Sequence, residues 1–416
     1  MANKAKLEAL LTLINTSARD AIALYEKYGD VPAIDQTGPH PLDNAVDQVA
    51  LKSAIRTLEG ASAQLCTTLA PPSHTAINLV QVYDHACVRV VAREGVSDIL
   101  LKYPKGIHVN KLSKKINIEP KKLARIMRLL ATKGCYNEVD TDVFANNRLS
   151  LILLDENPVK HMILLHVELI SKGASVFYET LKDPKIAYSY DPTVAPVMYS
   201  IDKDGIEGTV FDWMARHDGQ RESYHVSMRS LNTIMGSLAV LAHFPFGKYS
   251  TVVDVGGVQA RDIWARDCPE AVAEDRVEFE DLNFFEQVPV KGKDVYYLRN
   301  IIHDWPDNES ALILSNVRKA LGPNSRVLIH DYVLLQLSRK QAVIEASELG
   351  TAPEPLLANF GVGSMRSYQQ DMTMLFAHNA RERTLQDSLA LATAAGLKLE
   401  KVWDLAESCV LEYSAA

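Results

Sequence analysis

From Thr251 onward the apolar residues change their period, and that change limits the folds open to the chain. Thr251–Val255 is a short buried-type run ending in Gly256-Gly257, Asp294–Leu298 is a second and Arg326–Ile329 a third. Between the last two, Asn308–Leu321 spaces Leu312, Ile313, Val317 and Leu321 at helical intervals and is closed by Gly322-Pro323. Strands that are apolar on both faces and alternate with helices predict a parallel sheet covered on both sides. The expected fold of this part is therefore a doubly wound, Rossmann-like α/β domain. Such sheets bind ligands at the carboxyl ends of their strands. A helix over Thr384–Ala395, ended by Gly396, and two short strands near Leu397–Val402 and Cys409–Tyr413 complete it.

The preceding residues read as mainly α. Leu7, Leu10, Leu11, Ile14, Ala18, Ala21, Ile22 and Tyr25 make one apolar stripe within a helix over 4–28, and a second helix runs to about Leu69, before Pro71-Pro72. Two one-sided helices need a cover, and a homodimer built on them is the expectation. Residues 75–150 read as a winged helix, with Val109, Leu112 and Ile116 on one short helix and Leu123, Ile126, Met127 and Leu130 on the next. Residues 155–245 read as helical. The expected division is an arm over 1–74, a winged helix over 75–150, a helical connector over 151–245 and the α/β domain over 246–416.

Composition narrows the function. Hydrophobic residues at 47% and charged residues at 23% of 416 suit a globular protein, and a net charge of −8 argues against a chain that coats nucleic acid. The stretch from Lys102 to Lys133 is nonetheless basic, with Glu119 its one acid. It reads first as a solvated face, so nucleic acid is not the expected partner. The five cysteines are scattered and never form a CxxC pair, so neither a disulfide framework nor a metal site is expected. No run approaches the ~18 apolar residues of a membrane span. A cytoplasmic location is expected.

Four strings carry a resemblance to a family. "VVDVGG" (252–257), "DVYYLRNIIHDWPDNE" (294–309), "RVLIHDYVL" (326–334) and "DMTMLFAHNARERT" (371–384) resemble motifs of the caffeate-type O-methyltransferases, and the order of arm, winged helix, connector and α/β domain is similar too. The resemblance implies that His303 takes the proton from a substrate hydroxyl, that Asp331 and Glu382 orient it, and that Asp304 lies beside it. An imidazole steadied by carboxylates suits that work. It also implies S-adenosylmethionine as methyl donor, held by Asp254, Gly256 and Gly257. Here the sequence departs from the pattern. Val258 and Ala260 stand where the family has glycines that bring the backbone close to the donor. Arg261–Asp275 then leads directly into residues 276–290, which match the family's third strand, so about one strand-plus-helix unit is missing and the sheet should be short. Asp281 is the remaining candidate for the ribose-binding acid.

That combination is most similar to the O-methyltransferase-like pericyclases of fungal pyridone alkaloid pathways. The resemblance implies a dehydration to a quinone methide and an Alder-ene or hetero-Diels–Alder closure, on a polyketide- or alkaloid-type small molecule with no cofactor expected. In that branch a histidine on the connector helix takes part, which points to His161, or else His166, with Thr233 as a hydrogen-bond donor. Residues 335–370 are expected to form a lid, and Met365, Met372, Met374 and Phe376 an apolar wall. Two alternatives stand beside this reading: an S-adenosylmethionine-dependent O-methyltransferase with His303 as base, and a non-catalytic winged-helix DNA-binding or scaffold protein.

Overall fold

The protein is described by a computed structural model covering residues 2–201, 207–257, 260–340 and 349–416. Helices Ala2–Glu26 and Val49–Leu69 pack along each other and form the arm. Part of their apolar stripe finds cover on their own chain, while Leu11 and Ile22 stay exposed. Leu10 and Ala61 bury against Ala352, Leu356 and Phe360. Arg366 ties the arm to the far end of the chain, with Glu59 at 3.0 Å and Glu407 at 2.7 Å. Residues 349–363 thus wedge against the arm and do not line the cleft that His303 lines. The lid expected over 335–370 is corrected to that extent; residues 341–348 lie outside the described residues.

Three strands, β1 (Ile107–His108), β2 (Asn137–Asp140) and β3 (Val143–Ala145), form an antiparallel sheet in the order β1-β3-β2 beside helices Val109–Ile116 and Pro120–Thr132. Leu112, Leu123, Met127 and Phe144 fill the core between them. The basic face is partly neutralised, since Arg128 pairs with Glu138 at 3.0 Å and with Asp142. The connector helix Pro158–Leu165 starts at Asn157, whose side chain caps Val159, and passes into a π-helical turn over His166–Ile170. It packs against the helix Asp218–Met235.

The α/β domain contains β4 (Val252–Asp254), β5 (Val295–Arg299), β6 (Arg326–Asp331), β7 (Val333–Leu334), β8 (Arg383–Thr384), β9 (Leu397–Asp404) and β10 (Cys409–Ala415). The main sheet runs β4-β5-β6-β10-β9, with β4, β5 and β6 parallel and the last two antiparallel. Strand β6 is buried on both faces, as its continuous apolar run requires.

The sheet is shorter than the sequence suggests. Among the described residues no strand lies between Asp254 and Val295, so the expected third strand within 276–290 does not form. The physical reason is the lack of a neighbour. With no second strand beside β4, the segment has no ladder to join, and it lays Leu282, Phe284, Phe285 and Val288 onto the domain core instead. Strand β4 is left as a bare edge on which Val252 is 50% exposed.

The arm's dock tolerates no added volume. A Cβ at Gly363 would lie 1.9 Å from the Arg56 carbonyl oxygen, while Gly38 has nothing within 4 Å. Gly363→Ala is expected to lower stability by about 1–3 kcal/mol, and Gly38→Ala to change it by less than about 0.5 kcal/mol. Urea unfolding of the two variants checks this, and equal midpoints would contradict it.

Candidate active site

The turn after β5 carries the His-Asp-Trp string. Asn300 takes a positive φ of 53° and starts the turn, and Ile302–Asp304 form a single 3-10 turn. Arg383, buried beside it, donates to the carbonyl oxygens of Ile302 at 2.8 Å and Trp305 at 3.0 Å, and pairs with Asp307 at 2.8 Å. Motif context does not point to this clamp. Its one signal in the sequence is an arginine directly after a candidate catalytic acid.

His303 Nδ1 lies 2.6 Å from Glu382 Oε1, and its Nε2 lies 3.4 Å from Asp304 Oδ1. Asp331 works differently from the expectation. It accepts from the backbone N–H of Asn300 at 2.9 Å and so braces the turn, leaving the ring to Glu382. Burial alone would drive His303 toward the neutral form, but Glu382, Asp304 and Asp331 outweigh it and push the imidazole up to about 10. Burial raises Asp304 to about 6 and Glu382 to about 7. The second oxygen of Glu382 is buried with no hydrogen-bond partner.

His303 and Asp304 open onto a cleft of about 570 Å³, part of it open to solvent. The connector supplies Met162, Leu165, His166, Leu169 and Ile170, a single face at 3-4 spacing. Helix Met365–His378 supplies Gln370, Thr373, Met374, Ala377 and His378 on the same rule. Asn300, Tyr224, Met228 and Leu231 complete much of the wall.

Geometry sorts the residues that sequence context singles out. His161 lies off the lining face, with its Nδ1 3.1 Å from Ser223 Oγ, and the fallback His166 faces the cleft. Five helical residues separate the two, so one face cannot present both. Thr233 is exposed, two residues from Leu231 and on another side of its helix. Met372 and Phe376 are likewise off the lining face, and Phe376 meets Phe177 edge-on at 5.0 Å. Met365 is exposed, and of the expected wall only Met374 lines the cleft. Asn300, Tyr224, Gln370, Thr373 and His378 join the site without having been expected there. The helical period through Met374 is the signal that finds Gln370 and His378.

Of the residues proposed for a methyl donor, Asp281 does not take the place that the role requires. Gly256 keeps a φ of 93°, but the space a Cβ would enter there is filled by Ile301 Cδ1 at 2.5 Å, with Phe284 at 3.7 Å. Gly257 and Asp254 sit beside the bare edge of β4, and Asp281 is exposed on a strandless stretch rather than at the end of a neighbouring strand. Val258 and Gln259 lie outside the described residues. Ile301 and Phe284 thus leave no room for a side chain at the turn after β4. Among the described residues no cluster of His, Cys, Asp and Glu suits a metal ion.

The raised imidazole has a consequence for stability. Its folded value of about 10 lies above the unfolded value near 6.5, so the raised ring contributes stability that is full below pH 6.5 and lost as pH rises through 10, and with Glu382 near 7 the ion pair itself spans about pH 7 to 10. Between pH 7 and 10 the melting temperature is expected to fall. In Glu382→Gln this slope should flatten, which differential scanning calorimetry across that window measures; an unchanged slope would contradict the pairing.

Comparison with known proteins agrees with this architecture. The family described as the O-methyltransferase domain matches residues 261–398. The chain is 34% identical to "3-O-methyltransferase 2" of Phanerochaete chrysosporium, over 99% of this chain and 98% of that protein. That alignment spans 445 positions, more than the 416 residues here, so parts of the relative have no counterpart in this chain. Two solved structures share the fold: LepI in complex with SAM, with a TM-score of 0.65 at 17% identity over 88% of this chain and 94% of that one, and a protein described as a pericyclic reaction enzyme, with a TM-score of 0.65 at 18% identity over 88% and 95%. The fold is that of S-adenosylmethionine-dependent methyltransferases, and the chain belongs to the O-methyltransferase family.

Proposed function

We propose that this chain removes water from a hydroxylated polyketide- or alkaloid-type small molecule and directs the pericyclic closure, Alder-ene or hetero-Diels–Alder, of the resulting quinone methide, with no methyl transfer and no cofactor. One observation carries the reading: a charged acid–base cluster walls an apolar cleft, while Asp281, the candidate ribose acid, is exposed and ends no strand beside β4. Dehydration balances without an oxidant or reductant. A proton goes to the departing hydroxyl, the C–O bond breaks, and a second group takes the proton of the substrate's phenol or enol.

His303, raised to about 10, is a proton donor at neutral pH, which suits an acid better than a base. The apolar wall of Met162, Leu165, Leu231 and Met374 excludes water from a reactive intermediate and restricts its folding. The likeness in fold to a pericyclic reaction enzyme agrees with this reading. Leu11 and Ile22 stay exposed on the first arm helix, which supports a homodimer formed through the N-terminal helices.

A second reading, O-methylation of a phenol or enol with His303 as base, is favoured by the name of the 34%-identical relative. Methyl-labelled S-adenosylmethionine and a panel of phenols separate the two. Expected are no label on any phenolic oxygen, no donor released on denaturing the purified protein, and a flat calorimetric titration. Label on a phenol overturns the proposal in favour of methylation. Donor recovered without transfer removes only the claim that the enzyme works without a cofactor.

A further inference from the structure

Two imidazoles in the cleft share one carboxylate oxygen. His303 Nε2 lies 3.4 Å from Asp304 Oδ1, and His378 Nε2 lies 3.8 Å from the same atom. The rings arrive from different elements, the turn after β5 and the last turn of helix Met365–His378. Both line the cleft.

Their surroundings are opposite in kind. His303 is faced by Glu382 from the segment before β8, by Asp304 from its own turn and by Asp331 from the end of β6. His378 is stacked on Phe211 of the helix Val210–Ala215, with ring centroids 4.8 Å apart and planes 26° from parallel. Its charged neighbours are Asp304 and His303, and Glu382 is spent on His303.

We propose that His303 and His378 are the acid–base pair of this site, with His303 giving its proton to the departing hydroxyl and His378 taking the proton of the substrate's phenol or enol. This rests on the dehydration reading above and assigns its two proton transfers. The C–O bonding pair leaves with oxygen, which departs as water carrying the His303 proton. The O–H pair stays on the substrate oxygen and forms the quinone methide carbonyl as its proton passes to His378. Asp304, between the rings, lies on the return path that moves the proton from His378 back to His303.

Sites that use two groups of one type in two roles set their environments apart. Here burial and the neighbouring His303 charge press His378 down to about 3, while three carboxylates hold His303 up at about 10. The two are also linked in time. The charge on His303 adds to burial in suppressing His378, so once His303 has given up its proton, His378 is a better base than before.

Two measurements on the full chain test the pair. Nitrogen-15 ring spectra at pH 7, which report all twelve histidines, are expected to contain an imidazolium signal that vanishes in His303→Gln and a neutral-ring signal that vanishes in His378→Gln. The same charge state on both rings overturns the assignment. The second uses 2-hydroxybenzyl alcohol in oxygen-18 water, with exchange of the benzylic oxygen read by mass spectrometry. Wild type is expected to catalyse exchange, and each variant to lose about 100-fold or more, with His378→Gln keeping the His303 imidazolium. His378→Asn replaces His378→Gln if the latter unfolds. Exchange that survives loss of His378 overturns the pair and leaves the dehydration reading standing. Absence of exchange in wild type overturns that reading, and the pair with it.

Discussion

A buried guanidinium holds the active turn in place. Arg383 reaches the carbonyl oxygens of Ile302 and Trp305 on either side of His303-Asp304, and also Ser310 Oγ at 3.1 Å at the start of the following helix. The same carbonyls also accept from Ser310 Oγ, at 3.1 and 3.0 Å, so guanidinium and hydroxyl together satisfy backbone groups that do not tolerate being buried unpaired. Because Glu382 is the residue before Arg383, the same two residues that fix the turn also bring the carboxylate to the ring. The catalytic geometry and the packing of the loop are one arrangement, and neither can shift without the other.

The clamp concentrates charge in a place with little water. His303, His378 and Asp304 line the cleft with Asp331 and Glu382 buried behind His303, and the five cannot all carry their ordinary charges there. Protons must be distributed among them, and the structure divides the imidazoles by their neighbours: carboxylates around His303, an aromatic ring and a cation beside His378. A site with its protons divided in this way has both a donor and an acceptor before any substrate arrives.

Much of this is legible in the sequence, and the failures are instructive. Strands β4, β5, β6, β9 and β10 are visible because apolar runs bounded by glycine, proline or charge have few other ways to bury themselves. Motif context finds His303 and Glu382, and the geometry joins them directly. Residues 276–290 mislead because their composition suits a strand, yet a strand needs an adjacent edge, and that depends on residues the chain lacks. Met372 and Phe376 are suggested by residue type rather than by period, which puts them off the face defined by Gln370, Thr373, Met374 and His378. The segment after β7 reads as a lid from its length and composition. Its destination against the arm depends on Gly60 and Gly363, whose missing side chains allow close backbone approach and look like nothing in a sequence.

The bare flank of β4 changes how the domain should breathe. This strand of three residues is held on one side only, with its outer amides and carbonyls turned away from any ladder. Opening it costs the sheet one row of hydrogen bonds, whereas opening β5 or β6 costs two. Amide hydrogen exchange should therefore begin at this margin and reach the interior strands last. Fraying would start beside the glycine turn, on the opposite side of β5 from Asp331 and the strand that bears it, so the most labile part of the sheet borders Ile301, two residues before His303.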